Sequence, residues 1–230
     1  RMQSTDTTET GQPEFLHECP LLTADILGVG GRIKQQPEDF IVEEIPAYEP
    51  SGEGEHLFLW IEKRDTAAEQ LQRHLARAFG ISSRDIGTAG LKDRRAVTRQ
   101  FVSVPAACAD RIGEADTENI HVLRHALHGN KLRTGHSRGN RFSIRIRDVS
   151  DDATELAEAV RLRILESGFP NDFGSQRFGI DNETLALGLA LLKGSKRPKD
   201  IPGSRRRFLL KFALSAAQSY LFNRALADRL

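Results

Sequence analysis

Residues Leu57 to Gly80 carry the strongest constraint in this chain, because the hydrophobic period changes partway through them. "LFLWIEK" is an apolar run suited to a strand. The "DTAAEQLQRHLARAFG" after it places Ala68, Leu71, Leu75 and Ala78 or Phe79 at helical spacing. Thr66 and Glu69 fit a capping box, and Gly80 is a natural stop. A strand followed at once by an amphipathic helix calls for helices packed on a sheet.

Upstream, "GRIKQQPEDFIVEEI" places Phe40, Val42 and Ile45 among polar residues in a strand-like pattern, and "EPSGEGEH" reads as a loop. The strands on either side of that loop are expected to form a hairpin. Downstream, "SSRDIG" reads as a short capped turn and "QFVSVP" as a strand, while "FSIRIRDV" puts Phe142, Ile144 and Ile146 on one strand face. A capped helix is expected over "SDDATELAEAVRLRILESG", with Leu156, Val160 and Ile164 on one face and Gly168 at its end. Strands and helices interleave up to that glycine, which points to an α+β or mixed α/β architecture. Beyond it, "FPNDFGSQRFG" leads into a helix from Asn182 to Lys193, a basic linker, and a last helix over Phe208 to Leu230. The expected organisation is a mobile tail over 1–20, a first domain over 21–167 and a second domain beginning at 168.

Charge is sorted along the chain although the formal net value is only +1. From Glu38 to Glu69 ten acids face two bases, Lys63 and Arg64. From His121 to Arg147 there are seven Arg and Lys and no acid; from Lys193 to Lys211 there are eight bases and one acid, Asp200. Such basic stretches suit a polyanion such as nucleic acid; solvated basic loops are the other reading. Cys19 and Cys108 form no metal or disulfide framework, which fits free thiols in a reducing compartment. No apolar run approaches the ~20 residues of a membrane span, and the start has no signal-peptide core, so a cytoplasmic protein is expected.

Several chemistries lack support. Four histidines share the window "HVLRHALHGNKLRTGH", where a metal site is conceivable, but no Cys or acid joins them. The phosphate-loop, dinucleotide and G-x-S-x-G motifs are absent. Neither a metal nor a nucleotide cofactor is therefore expected.

"GLKDRRAVTRQF", residues Gly90 to Phe101, sets Asp93 among Lys92, Arg94, Arg95 and Arg99. In one reading Asp93 caps a turn or pairs with a neighbouring arginine on a solvated face. In the other it is an ionised carboxylate in a positive site that also binds phosphate, and it acts as a nucleophile. Gly87, Ala89 and Gly90 would let a planar or anionic ligand approach the backbone closely. Spacing alone leaves both open.

The stretch "AGLKDRRAVTRQ" resembles the signature of the tRNA pseudouridine synthase D family, which is close to G-x-K-D-[RK]-x-A-x-T-x-Q around the active-site aspartate. Gly90, Lys92, Asp93, Arg94, Ala96, Thr98 and Gln100 match it. "IKQQPEDFIVEE" resembles the family's K-x-x-P-E-D-F segment, "GNRF" its G-N-x-F, and "PNDFGSQRFG" its P-N-[YF]-F-G-x-Q-R-F-G. "LSAAQSYLFNRALADRL" resembles the helix after the basic linker. The likeness runs over residues 30–230 in the family's order.

The resemblance implies a pseudouridine-synthase-type α+β catalytic domain with a mixed, largely antiparallel sheet flanked by helices. It also implies the start of an inserted α/β domain over 168–230, within which this sequence ends. The implied activity is isomerisation of a uridine in tRNA, at position 13, without a cofactor and by a monomer. By resemblance Asp93 is the nucleophile, Lys34 pairs with it, and Phe142 stacks on the target base. Asn140, Lys92, Arg94, Gln100 and Phe40 would line or hold the pocket, and Asn171, Gln176 and Arg177 would bind RNA. Arg205, Arg206 and Arg207, in the basic linker, are candidates for phosphate contacts. The alternative is a non-catalytic RNA-binding module or RNA chaperone, which needs only the charge segregation.

Overall fold

A computed structural model describes residues 20–204 and 206–230. Cys19, Arg205 and all of the expected tail except Pro20 lie outside the described residues. In chain order the elements are β1 (Gly30–Arg32), β2 (Phe40–Pro46), β3 (His56–Arg64), α1 (Ala68–Phe79), β4 (Gly87–Thr88) and β5 (Val97–Pro105). Next come β6 (Ile120–His128), β7 (Ser137–Ile144), β8 (Arg147–Val149), α2 (Ala153–Ser167), α3 (Glu183–Leu192) and α4 (Arg206–Ala227).

All of β5 except Arg99 and Pro105 is buried, so this strand has to be covered on both faces and on both edges. It sits at the centre of a six-stranded sheet ordered β6-β3-β5-β2-β7, with the short β4 also paired to β5. Only β2 and β5 run parallel; the other pairs in this sheet are antiparallel. The expected mixed, largely antiparallel sheet is therefore present. The expected hairpin of β2 and β3 is not: β5 lies between them, pairing Val42 with Thr98 on one side and Lys63 with Thr98 on the other. What marks β5 as the interior strand is burial on both faces, buried Thr98, Gln100 and Ser103 included, whatever the order along the chain.

Two further local expectations shift. The box at the start of α1 is one residue later than expected, since the Ala67 N–H donates to Gln70 Oε1 at 2.9 Å. The Thr66 hydroxyl instead turns back to the Arg64 carbonyl at 2.8 Å. Gly80, with φ of 67°, closes the helix in the left-handed conformation only glycine adopts freely. "FSIRIRDV" is split between β7 and β8: the Arg145 N–H still bonds the Asp39 carbonyl at 2.8 Å, in register with the β2–β7 pairing, but β2 starts only at Phe40, so the ladder stops there. Phe142 and Ile144 share a face of β7, Ile146 falls between β7 and β8, and all three are exposed.

Residues Val29–Ala153 form one compact unit. On one face of its sheet, Leu57, Leu59, Ile61, Val102 and Val104 pack with Leu71, Leu75 and Phe79 of α1. On the other face Phe58, Phe101, Ala89 and Leu132 pack with Tyr48 and Trp60. Cys108 is a free, buried thiol, and burial raises its pKa above the ordinary value. His128 and His136 flank Tyr48, with His136 Nδ1 2.7 Å from the Tyr48 hydroxyl.

The second unit joins residues 20–28 to Thr154–Leu230, so α2 is grouped with α3 and α4. Arg163 of α2 donates to both carboxylate oxygens of Asp25, at 3.0 and 2.8 Å. Phe178, Leu185, Ala216 and Ala217 make its core, where Gly188 of α3 lets α4 approach closely. No helix among the described residues is long and apolar enough to cross a membrane.

Candidate active site

The strand register puts Phe40, Val42 and Glu44 of β2 on the same sheet face as Thr98 of β5 and Phe142 and Asn140 of β7. Lys63 and Ile61 of β3 share that face through their pairing with Thr98 and Gln100. Helix α1 covers its β3 side, and the β2–β7 side carries the residues the sequence singled out. Asp93 stands at the border, on the loop that turns from β4 into β5.

Oδ1 of Asp93 lies 3.1 Å from Nζ of Lys34, and the two side chains are 48% and 29% exposed. An ion pair this accessible contributes only about 0–1 kcal/mol to stability. Lys34 itself has φ of 57°, a left-handed backbone that costs a non-glycine residue on the order of 1–3 kcal/mol. The pair alone therefore does not hold Lys34 in place; its flanks do. Before it, β1 pairs with β8, and after it, Asp39 accepts from the Arg147 guanidinium at 2.7, 2.9 and 3.0 Å. The Lys34 ammonium also sits 3.8 Å above the Phe40 ring, and Phe40 meets the half-exposed Phe142 edge to face at 5.9 Å. One cation thus touches both the carboxylate and the Phe40 ring, which in turn meets Phe142.

Beneath this layer lies a buried polar one. Lys92 turns inward and places its ammonium 2.7 Å from Glu44 Oε2, with both side chains nearly inaccessible. Lys63 is fully buried and donates to the backbone carbonyls of Asp93 at 2.8 Å and Thr66 at 2.7 Å. Burial pushes its pKa down to about 8; the negative charges of Asp93 and Asp65 oppose that shift and Lys92 adds to it. Thr98 Oγ1 and Gln100 Oε1 are buried here without a hydrogen-bond partner.

The remaining sequence candidates fall into three groups. Arg94 is exposed, 3.8 Å from Asp65, and Asn140 is exposed opposite Glu44. Lys92 and Gln100 belong to the buried layer, so their polar groups face the interior. Asn171 and Gln176, both exposed, and Arg177 belong to the other unit. There the Arg177 guanidinium donates to Ser219 at 3.0 Å and to Ser215, over the rings of Phe173 and Phe212. Arg206 donates to the carbonyls of Ile201 and Lys199, and Arg207 is exposed.

The family model described as tRNA pseudouridine synthase D matches residues 17–198. The chain belongs to the tRNA pseudouridine synthase D family. It is 45% identical to a tRNA pseudouridine synthase D of Anaeromyxobacter sp. (strain Fw109-5), over 93% of this chain and 60% of that protein. It is 44% identical to one from Thermus thermophilus, over 92% of this chain and 58% of that protein. A solved tRNA pseudouridine synthase D structure from Methanosarcina mazei superposes with a TM-score of 0.69 at 31% identity, covering 86% of this chain and 51% of that one. The chain thus spans about 60% of the length of the curated relatives it matches.

Within this synthase D frame, sequence reading passed over Lys63, Glu44 and the Asp39–Arg147 pair. A signal existed for the first two: each takes an inward place on a strand whose other inward residues, Leu57, Leu59 and Ile61 or Val42, are apolar. Charge sorting also looked different before folding. Arg124, Arg141 and Arg147 from the basic stretch meet Glu49, Glu43 and Asp39 from the acidic one, so part of the sorted charge pairs within the chain, mostly at the surface.

Proposed function

We propose that this protein isomerises a uridine of tRNA to pseudouridine, at position 13 as the family resemblance indicates, with Asp93 as the nucleophile. The observation that carries this reading is the 3.1 Å contact between Lys34 and Asp93 on the face that also bears Phe142. A carboxylate held by a lysine beside a half-exposed aromatic ring suits a flipped-out base: the ring stacks on it while the carboxylate reaches the sugar or the base edge. The reaction breaks the N1–C1′ bond, turns the base and rejoins it through C5, with one proton moving from C5 to N1. It is redox-neutral, so the same reading calls for no nucleotide cofactor; it carries with it a monomer acting in the cytoplasm. Arg206 and Arg207 would contact phosphates, which makes tRNA affinity salt-dependent.

The deciding experiment is Asp93→Asn on a tRNA transcript, read by tritium release and by carbodiimide mapping of pseudouridine. The variant is expected to keep its tRNA affinity within a few-fold and to form no product, because a near-isosteric change that removes the charge should remove only the chemistry. Product formation at the unaltered rate would remove Asp93 from the mechanism and favour a non-catalytic RNA-binding role.

A further inference from the structure

Lys63 has no part in that reaction, yet it is fully buried at a strand position where Leu57, Leu59 and Ile61 precede it on the same face. A lysine is rarely placed so unless its ammonium has partners. Its partners here are not carboxylates but two backbone carbonyls, Asp93 at 2.8 Å and Thr66 at 2.7 Å. Thr66 stands just before α1, and Asp93 is the residue whose side chain meets Lys34.

We propose that Lys63 is a positioning residue for Asp93: by tying the Asp93 carbonyl to that of Thr66 from below, it fixes the direction in which the Asp93 carboxylate meets the substrate. The proposal rests on the reading of Asp93 as the reacting group. From above that loop is held by exposed contacts, Arg95 to the Gln35 carbonyl at 3.4 Å and Arg94 to Asp65 at 3.8 Å among them, since Leu91, Asp93, Arg94 and Arg95 are all exposed. The side-chain pair with Lys34 is accessible to water and correspondingly weak. Lys92 anchors the preceding residue inward on Glu44, so two buried ammonium groups hold adjacent residues of the loop from underneath. The groups that face Lys63 are Asp93 and Lys92 from this loop and Asp65 from the end of β3. An ammonium has three N–H donors and a neutral amine two, so both carbonyl bonds survive deprotonation; they lose only their charge assistance.

Lys63→Met keeps the bulk of the side chain and removes both donors. In a folded variant, kcat is expected to fall about tenfold or more with KM and tRNA affinity nearly unchanged, because a small misplacement of a reacting group is enough. Amide exchange should quicken over residues 91–96 while the amides of β3 and β5 keep their protection. A folded variant with kcat within about twofold of the parent, or one whose exchange rises equally across β3 and β5, overturns the proposal. A second measurement needs no variant. In the parent protein the Asp93 carbonyl carbon should shift together with the Lys63 Cε signal as that amine titrates near pH 8, and a flat Asp93 signal through the titration overturns the clamp. Asp93→Asn separates the two levels: if it stays active, the function reading fails while the carbonyl titration still judges the clamp. If it is inactive and a folded Lys63→Met is fully active, the clamp alone fails.

Discussion

Lys92 buries its ammonium 2.7 Å from Glu44 Oε2, while the next residue, Asp93, points its carboxylate outward to Lys34. The other oxygen of Glu44 accepts from the Phe101 N–H at 3.3 Å, so the pair ties the Asp93 loop to β2 and β5 at once. Removing one member leaves a charge in the interior with no counter-charge. Lys92→Met or Glu44→Leu should each lower unfolding free energy by about 3–5 kcal/mol, and the double variant should recover much of that loss. Urea denaturation of the three variants checks this as a double-mutant cycle; additive losses would show the pair to be uncoupled.

Asp39 predicts an acid limb. Hydrogen bonds from Arg147, more than the opposing desolvation, hold its carboxyl down to about 2 from the ordinary 3.8. A group with a depressed folded-state pKa stabilises the protein above its unfolded value and loses that contribution as pH falls through the folded one. Unfolding midpoints should therefore drop between pH 4 and pH 2 in the parent. Asp39→Asn should be less stable than the parent at pH 5, with the gap closing toward pH 2. The same variant should slow product formation, since Asp39 and Arg147 fix one flank of Lys34.

Phe142 separates stability from function. The residue is 52% exposed, so Phe142→Ala removes little burial and should change the melting temperature only slightly. If the ring carries the target base, the loss is about 1–3 kcal/mol of stacking, roughly a fivefold to 150-fold fall in product formation per unit enzyme. Single-turnover rates beside a thermal melt test both halves.

Gly188 is a packing requirement. A Cβ there would lie 2.1 Å from the Ala213 carbonyl oxygen, so Gly188→Ala must push α3 away from α4 and should destabilise by about 1–3 kcal/mol. Gly90, where a Cβ would meet nothing within 4 Å, serves as the control: Gly90→Ala should stay within about 0.5 kcal/mol of the parent.

What the sequence by itself determined is whatever depends on neighbours along the chain. The helical period from Leu71 to Phe79, the left-handed Gly80 and the strand character of "QFVSVP" are set by local geometry and side-chain type, and each stands in the fold where it was expected. The approach of Lys34 to Asp93, 59 residues apart, came from family likeness rather than from spacing, because no local rule links those positions. Tertiary structure alone decided the strand order, which put β5 between β2 and β3. It also turned Lys63 and Glu44 inward and let Asp39 capture Arg147 across 108 residues. Pairing and burial are competitions among distant segments for a limited interior. The strand buried on both faces takes the centre, and the charges drawn inside with it must find partners there, wherever along the chain those partners lie.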